Sequence, residues 1–476
     1  MSPVSIDDLP TDPALAIRFE HRMSDSDALM WAIEKDPMLR STITSVVTVE
    51  GPVDREALWA QYERATRAIP RLRQRVRSNP MSVAPPRWEI DPNFDLGYHL
   101  RFARATGTGS MRDLLAMAEP IAMQGFDRAR PLWETTVVED LEGGNSAVIM
   151  KIHHAITDGV GGVKLMLEIF DLEPAPAPRL PLDAPYPHVM NQAERFIDAF
   201  QHETRRQLGI AKRAASTAVA SVTTAIGDPV GTAGSAAELA DSLLRILRPT
   251  AAPLSPLMVD RSLSNHFSTV SVPLDRAKLA GKLIGGTIND TFVSGIVLAL
   301  ARYHESRGCH LDTLRMGMPI NIRTSDAAET AGNAFVPARF EVPAAADDPL
   351  ALMTELRARM VAARDEPANQ LVEPLSNVLY RLPTTVVTGI FGSMMKGLDF
   401  QASNVPGSPI PLYLLGRRVT ALIPFGPLAG AAANITLLSY ENALNIGVNV
   451  DPSAIEDPVT FTRLLEEAYT ELLELA

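Results

Sequence analysis

Residues 146 to 162 read SAVIMKIHHAITDGVGG: an apolar run closes on two adjacent histidines, an aspartate follows four residues after the second, and glycines come next. Those residue types suit a metal site, a proton transfer, or a turn with no chemistry. Alternate residues of a strand share a face, so Val148, Met150, Ile152 and His154 would point one way and Ile149, Lys151 and His153 the other. By that parity His154 is the histidine on the apolar side. A neutral imidazole in an apolar channel is a suitable proton acceptor, because desolvation disfavours its charged form and keeps it available as a base near neutral pH. Asp158 falls where the strand gives way to a helix, and can cap that helix or pair with an arginine. Gly159, Gly161 and Gly162 permit tight backbone there and the close approach of a ligand. A metal fits less well: adjacent strand histidines diverge, and no HExxH or Cys/His spacing occurs elsewhere, so no metal is expected. A purely structural histidine pair stays open on pattern alone.

Elements on either side must hold this stretch in place. The β-branched STITSVVTV (41 to 49) predicts a strand, and REALWAQYERATRAI (55 to 69) a helix. DPNFDLGYHLRFA reads as extended, MRDLLAMAEPIAM as a helix that Pro120 ends or kinks. PLWETTVVEDL and NSAVIMKIHH form a hairpin across EGGNS, and the helix GVKLMLEIFDL closes a mixed α/β first half. In PLWE, Pro131, Leu132 and Trp133 read as core. Proline-rich EPAPAPRLPLDAPYPH (173 to 188) forbids regular structure and marks the boundary. The expected division is 1–172 for an N-terminal unit carrying the histidines, 173–260 for a linker and crossover helices, and 261–476 for a C-terminal unit. Beyond the linker, Asn191 and Glu194 make a capping pair for a helix carrying Phe196, Ile197 and Phe200, continuing Ala/Ser/Thr-rich to about residue 235. In the second half, Thr287 and Asp290 of TIND fit a capping box, and Ser403 and Asn404 read as a turn.

A chain of 476 residues with 46% hydrophobic and 21% charged residues has material for two packed domains. Its formal charge of -12 argues against nucleic acid, which needs a basic footprint. The single cysteine, Cys309, cannot form an internal disulfide, which fits a reducing compartment. The acidic N-terminal stretch does not read as a secretory signal, and the longest apolar runs, FVSGIVLALA and TTVVTGIFGSMM, fall short of the ~20 residues that span a bilayer. A cytoplasmic protein is expected, with any membrane contact peripheral.

HHAITDG matches the HHxxxDG motif of the CoA-dependent acyltransferase superfamily. FDLGYHLR, FDRARPLWE, GGTINDTFVSGI, MPINIRT, GNAFVPARF and SNVPGSP, in that order along the chain, resemble the bacterial wax ester synthase/diacylglycerol acyltransferase family. The resemblance runs from about residue 20 to the end. Two segments depart from it: the family's Ser-Pro-Asp stretch reads MSDSDALMW here, with Asp27 the match, and the arginines often found before the second-domain strand are replaced by SNHFSTV.

The resemblance implies an α/β fold of two chloramphenicol-acetyltransferase-like domains with a tunnel between them. It further implies that acyl-CoA enters as co-substrate with no bound cofactor, and that a diacylglycerol or fatty alcohol enters from the other side. His154 would act as general base on the acceptor hydroxyl beside His153, with no acyl-enzyme. Asp158 would be structural, paired with an arginine for which Arg323 is the candidate. Asn289 would position the thioester or stabilise a developing oxyanion, with Gly159, Asp290, Ser403 and Asn404 nearby; Pro131, Leu132 and Trp133 match the PLW segment. The absence of a GxSxG elbow agrees with an acceptor that supplies its own hydroxyl. Expected partners are the lipid substrates and, peripherally, a membrane or droplet surface, approached through the region after the linker or through VVTGIFGSMM; a monomer is the default. Two alternatives stay open: a condensing acyltransferase using a specialised alcohol or a carrier-bound donor, and a non-catalytic lipid-binding or droplet protein.

Overall fold

The computed structural model describes residues 18–78, 84–156, 159–208, 252–321, 330–331, 335–344, 347–364 and 384–476. Its two large sheets draw on twelve strands: β1 (Thr42–Val49), β2 (Leu100–Arg104), β3 (Trp133–Leu141), β4 (Asn145–His153), β5 (His266–Pro273), β6 (Thr313–Asn321), β7 (Phe335–Pro343), β8 (Phe400–Val405), β9 (Tyr413–Leu414), β10 (Arg417–Phe425), β11 (Ala433–Tyr440) and β12 (Ala443–Val450). Around them lie α1 (Asp25–Ile33), α2 (Arg55–Ala68), α3 (Met111–Met123), α4 (Gly159–Ile169), α5 (192–208), α6 (Leu274–Leu283), α7 (Ile288–Glu305), α8 (Pro349–Arg364), α9 (Thr384–Lys396) and α10 (Pro458–Glu474).

The first sheet runs β9-β10-β1-β4-β3-β2 and the second β7-β6-β8-β11-β12-β5, six strands each. Strand β4, which carries the histidines, is central: it pairs antiparallel with β1 on one side and β3 on the other. Each of its faces meets a core. Val148, Met150 and Ile152 pack with Leu58, Tyr62 and Leu165 of α2 and α4, while Ala147 and Ile149 pack with Leu114, Leu115 and Ala118 of α3. Helix α2 buries Leu58, Tyr62 and Ala65 at helical spacing, and Asp54 caps it by accepting the Glu56 and Ala57 N–H groups at 2.9 and 3.1 Å. The second sheet packs against α7, which is buried almost all round because it is the central helix of its half.

The linear division at residue 261 does not survive the topology. Strands β9 and β10 extend the first sheet from the far side of β1, so residues 413–425 belong structurally to the N-terminal half. Residues 173–188 do lack regular structure, as proline density requires. The halves also meet face to face: Phe267 of β5 stacks on Phe425 of β10 with ring centroids 4.1 Å apart, and Arg112 of α3 donates to the Phe267 carbonyl at 2.8 Å. Gly447 lies where the sheets cross, and a Cβ there would sit 1.7 Å from the Pro424 carbonyl oxygen.

Three local expectations change. Leu96–His99 form a short helix before β2, where extended backbone was expected throughout. Pro120 lies inside α3, which runs on three residues past it to Met123. Ser403 and Asn404 sit within β8, registered against Thr436 and Leu437, so they are strand residues rather than a turn. The capping pair of α5 forms as read: Asn191 N–H donates to Glu194 at 2.8 Å, and Glu194 N–H to Asn191 at 3.0 Å. Its Ala/Ser/Thr-rich continuation lies outside the described residues. Among those described, no single helix is long and apolar enough to cross a membrane.

Candidate active site

Strand β4 ends at His153, and His154 opens a single 3-10 turn, His154–Ile156. Strand parity therefore stops one residue short of His154, and the assignment made from it is corrected. His153 is fully buried, whereas His154 keeps some exposure at the strand's exit while its ring Nδ1 is enclosed by protein. The segment is pinned through its backbone. His153 N–H donates to the Leu132 carbonyl at 3.0 Å and His154 N–H to the Ser41 carbonyl at 2.9 Å. Leu132 and Trp133 are buried as expected of core, with Trp133 Nε1 donating to the Leu72 carbonyl at 2.8 Å. The PLW segment thus supports the histidines through one main-chain oxygen.

Each ring nitrogen of His153 has a protein polar group within 3.0 Å. Nδ1 accepts the Ala155 N–H at 3.0 Å, which leaves the proton on Nε2, 2.9 Å from Oε1 of Glu34. Trp31 and Phe126 meet the ring edge-on at centroid distances of 5.5 and 6.1 Å. Burial works to raise the Glu34 carboxyl, but its contacts with His153, the Ser41 N–H and Arg128 outweigh this and hold it below the usual range. A ring so committed cannot take a substrate proton. The pKa of His154 is pushed down to about 4 by burial and by the neighbouring His153, so its imidazole is neutral at ordinary pH.

The second-half residues gather at the start of α7. Asp290 takes the Thr287 N–H at 2.7 Å and the Thr287 hydroxyl at 2.9 Å, and Arg357 of α8 stands 3.4 Å away, so Asp290 secures the helix start. Among the described residues Asn289 Nδ2 finds only sulfur, Met360 Sδ at 3.5 Å and Met318 Sδ at 3.9 Å, while its Oδ1 lies 3.5 Å from Asn404 Nδ2. Thioethers are weak acceptors, so this amide can transfer its N–H to a carbonyl oxygen at small cost. Ser403 occupies the neighbouring strand position. Gly159 is the first residue of α4, and a Cβ at Gly162 would meet nothing within 4 Å among the described residues. Asp158 and Arg323 lie outside the described residues.

Two buried features carry no signal in the sequence. Glu34 ends α1 in AIEKDP, an unremarkable surface-type string, yet its side chain is 8% exposed against His153. Ser255 and His304 form a hydroxyl–imidazole contact of 2.6 Å, which on distance alone suits a nucleophile and its base. Both residues are fully buried, and Ser255 Oγ also accepts the Leu257 and Met258 N–H groups, which makes the pair an anchor for the chain entering the second half. Among the described residues no group of His, Cys, Asp and Glu could hold a metal.

Comparison with known proteins places the chain in a family. Residues 23–292 match the model of the wax ester synthase/diacylglycerol acyltransferase catalytic domain, and residues 331–473 match that of the WS/DGAT C-terminal domain. A Mycobacterium tuberculosis protein named as a candidate diacylglycerol O-acyltransferase is 36% identical over 96% of this chain and 93% of its own length. The wax ester synthase/diacylglycerol acyltransferase of Marinobacter aquaeolei VT8 has a similar structure, with a TM-score of 0.62 at 19% identity, covering 95% of this chain and 98% of that one. The first condensation domain of the calcium-dependent antibiotic synthetase shares the fold, with a TM-score of 0.59 at 13% identity over 96% of each chain. With the histidine motif at the end of a central strand, the ordered segments and both family models in register, the chain belongs to the wax ester synthase/diacylglycerol acyltransferase family and is an acyltransferase.

Proposed function

We propose that the chain transfers a long-chain acyl group from acyl-CoA to the hydroxyl of a diacylglycerol or a long-chain alcohol, with His154 as general base. The observation that carries this reading is the division of labour in the pair: the nitrogens of the His153 ring lie within 3.0 Å of the Ala155 N–H and of Glu34, and a neutral His154 stands at the strand's exit. His154 removes the acceptor's hydroxyl proton as its oxygen attacks the thioester carbonyl. The Asn289 amide, whose N–H groups meet thioether sulfurs among the described residues, supports charge developing on that carbonyl oxygen. The C–S bond then breaks, and the proton passes from His154 to the departing thiolate, giving ester and free CoA without a covalent enzyme intermediate. Acyl-CoA is a co-substrate in this scheme, and no metal or prosthetic group takes part.

The reading extends to a lipid surface. Phe196, Ile197, Phe200 and Leu208 of α5 are 38%, 55%, 60% and 66% exposed. At about 100° per residue they fall within an arc of about 120°. Asp198 and Arg206, on the opposite side, are tied to Arg22, Arg87 and Asp25 of the protein body. The helix is thus bolted down by one face and presents apolar side chains on the other, as an interfacial helix does.

The test is thiol release from palmitoyl-CoA with diolein, hexadecanol or no acceptor. Acceptor-dependent release that falls about 1,000-fold or more in His154→Ala, whose fold survives the change, is expected. Silence with both acceptors would move the assignment to a specialised alcohol or carrier-bound donor. Release that persists in His154→Ala would overturn the histidine base.

A further inference from the structure

A single carboxylate oxygen is joined to both histidines of the motif. Glu34 Oε1 accepts the Ser41 N–H at 2.6 Å and lies 2.9 Å from His153 Nε2. The carbonyl of the same Ser41 accepts the His154 N–H at 2.9 Å. His153 is therefore held by its ring and His154 by its backbone, one peptide unit away from the same anchor. The other Glu34 oxygen faces Arg128 at 3.8 Å, and that guanidinium lies 4.0 Å over the ring of Trp31, which itself borders His153. The anchor is tied to the second half as well, since Asp36, two residues on, pairs with Lys396 of α9 at 2.7 Å. A helix end by itself asks for no buried charge; a carboxylate taken out of water has to be hydrogen-bonded, and these bonds all converge on the histidine pair.

We propose that Glu34 is a positioning residue of the acyl-transfer site, fixing the His153 ring with its proton on Nε2 and, through Ser41, setting the backbone from which His154 is presented. The inference rests on the reading of His154 as the base. Because the Ala155 N–H already points at His153 Nδ1, a proton on that nitrogen would set two donors against each other, so only an acceptor at the Glu34 position keeps ring and turn as they are. Loss of that acceptor frees the ring to rotate and the turn His154–Ile156 to shift with it. A displacement of about 1 Å is enough to cost about 100-fold in rate.

Glu34→Gln and Glu34→Ala separate the possibilities in the full-length protein, because a glutamine oxygen can still accept both N–H groups whereas alanine offers none. Two readouts are needed: thiol release from palmitoyl-CoA with diolein or hexadecanol, and the ring 15N spectrum of selectively labelled histidine, with His153 identified from the His153→Gln spectrum. The expected result is that Glu34→Ala loses about 100-fold in kcat with KM for palmitoyl-CoA changed by less than about threefold, and that its His153 resonance leaves the Nε2–H pattern. Glu34→Gln is expected to keep that pattern and to restore kcat to within about tenfold of the parent. Wild-type behaviour of Glu34→Ala in both readouts overturns the proposal, as does a loss of kcat with the His153 pattern unchanged. Inactive Glu34→Gln with an intact ring pattern overturns it too, since charge rather than positioning would then be the contribution. If the parent protein releases no thiol with either acceptor, the proposed reaction is what fails, and the ring spectra alone decide the role of Glu34.

Discussion

Two adjacent imidazoles meet different surroundings here: His153 lies between the Ala155 N–H and the Glu34 carboxylate, and His154 is desolvated where the strand ends. The pKa of His154, pushed down to about 4, has a kinetic consequence. Its neutral, proton-accepting form is present above that value and is lost only as pH falls through it. The rate of acyl transfer is therefore expected to be flat between pH 5 and 8, measured as kcat/KM for palmitoyl-CoA at saturating acceptor; a rise centred near 6.5, the ordinary histidine value, would contradict this assignment. The motif residues His153, His154 and Asn289 are legible in the sequence because each lies in a short contiguous pattern. Glu34 is not, because its partner is reached only by folding α1 against the end of β4, and a glutamate at a helix end looks the same whether it faces water or an imidazole.

Hydrophobic patterning identifies most of the elements, since β-branched alternation and helical spacing are local properties, and β1, β3, β4 and α2 run within a residue or two of where they are read. Errors cluster where a neighbour overrides the local signal. Ser403 and Asn404 look like a turn beside Pro406 and Gly407, yet strand β11 offers them a ladder, and backbone hydrogen bonding prevails over turn composition. Strand parity failed at His154 for the opposite reason: Ser41 and Leu132 pin the backbone at the end of β4, and the next residue enters a 3-10 turn. Helix α5 carries the prediction that belongs to this scale. Phe196→Ser/Ile197→Ser/Phe200→Ser is expected to reduce co-flotation with phosphatidylcholine–diolein vesicles at least about tenfold while leaving the thermal unfolding temperature unchanged, because these side chains are exposed and their removal leaves no cavity. Retained flotation would show that α5 does not face the lipid.

At the scale of the whole molecule the halves are interleaved rather than strung in series. The β9–β10 ribbon leaves the second half to complete the first sheet, and the sheets cross so closely that Gly447 faces the Pro424 carbonyl without room for a methyl group. Gly447→Ala is expected to destabilise the chain by about 1–3 kcal/mol, the usual cost of an overpacked contact, seen as a lower urea midpoint; an unchanged midpoint would mean that the crossing relaxes freely. Composition and periodicity by themselves determined mixed α/β elements on both sides of a proline-rich linker, and the resemblance of the ordered motifs to a known family implied the acyltransferase, since both depend on residue type and on separations of a few positions. Tertiary structure alone decided which histidine is locked, which carboxylate locks it, and that residues 413–425 belong to the opposite sheet. Each of those is a contact between segments far apart in the chain, and the free energy that selects it comes from burial and hydrogen bonds that no single segment contains.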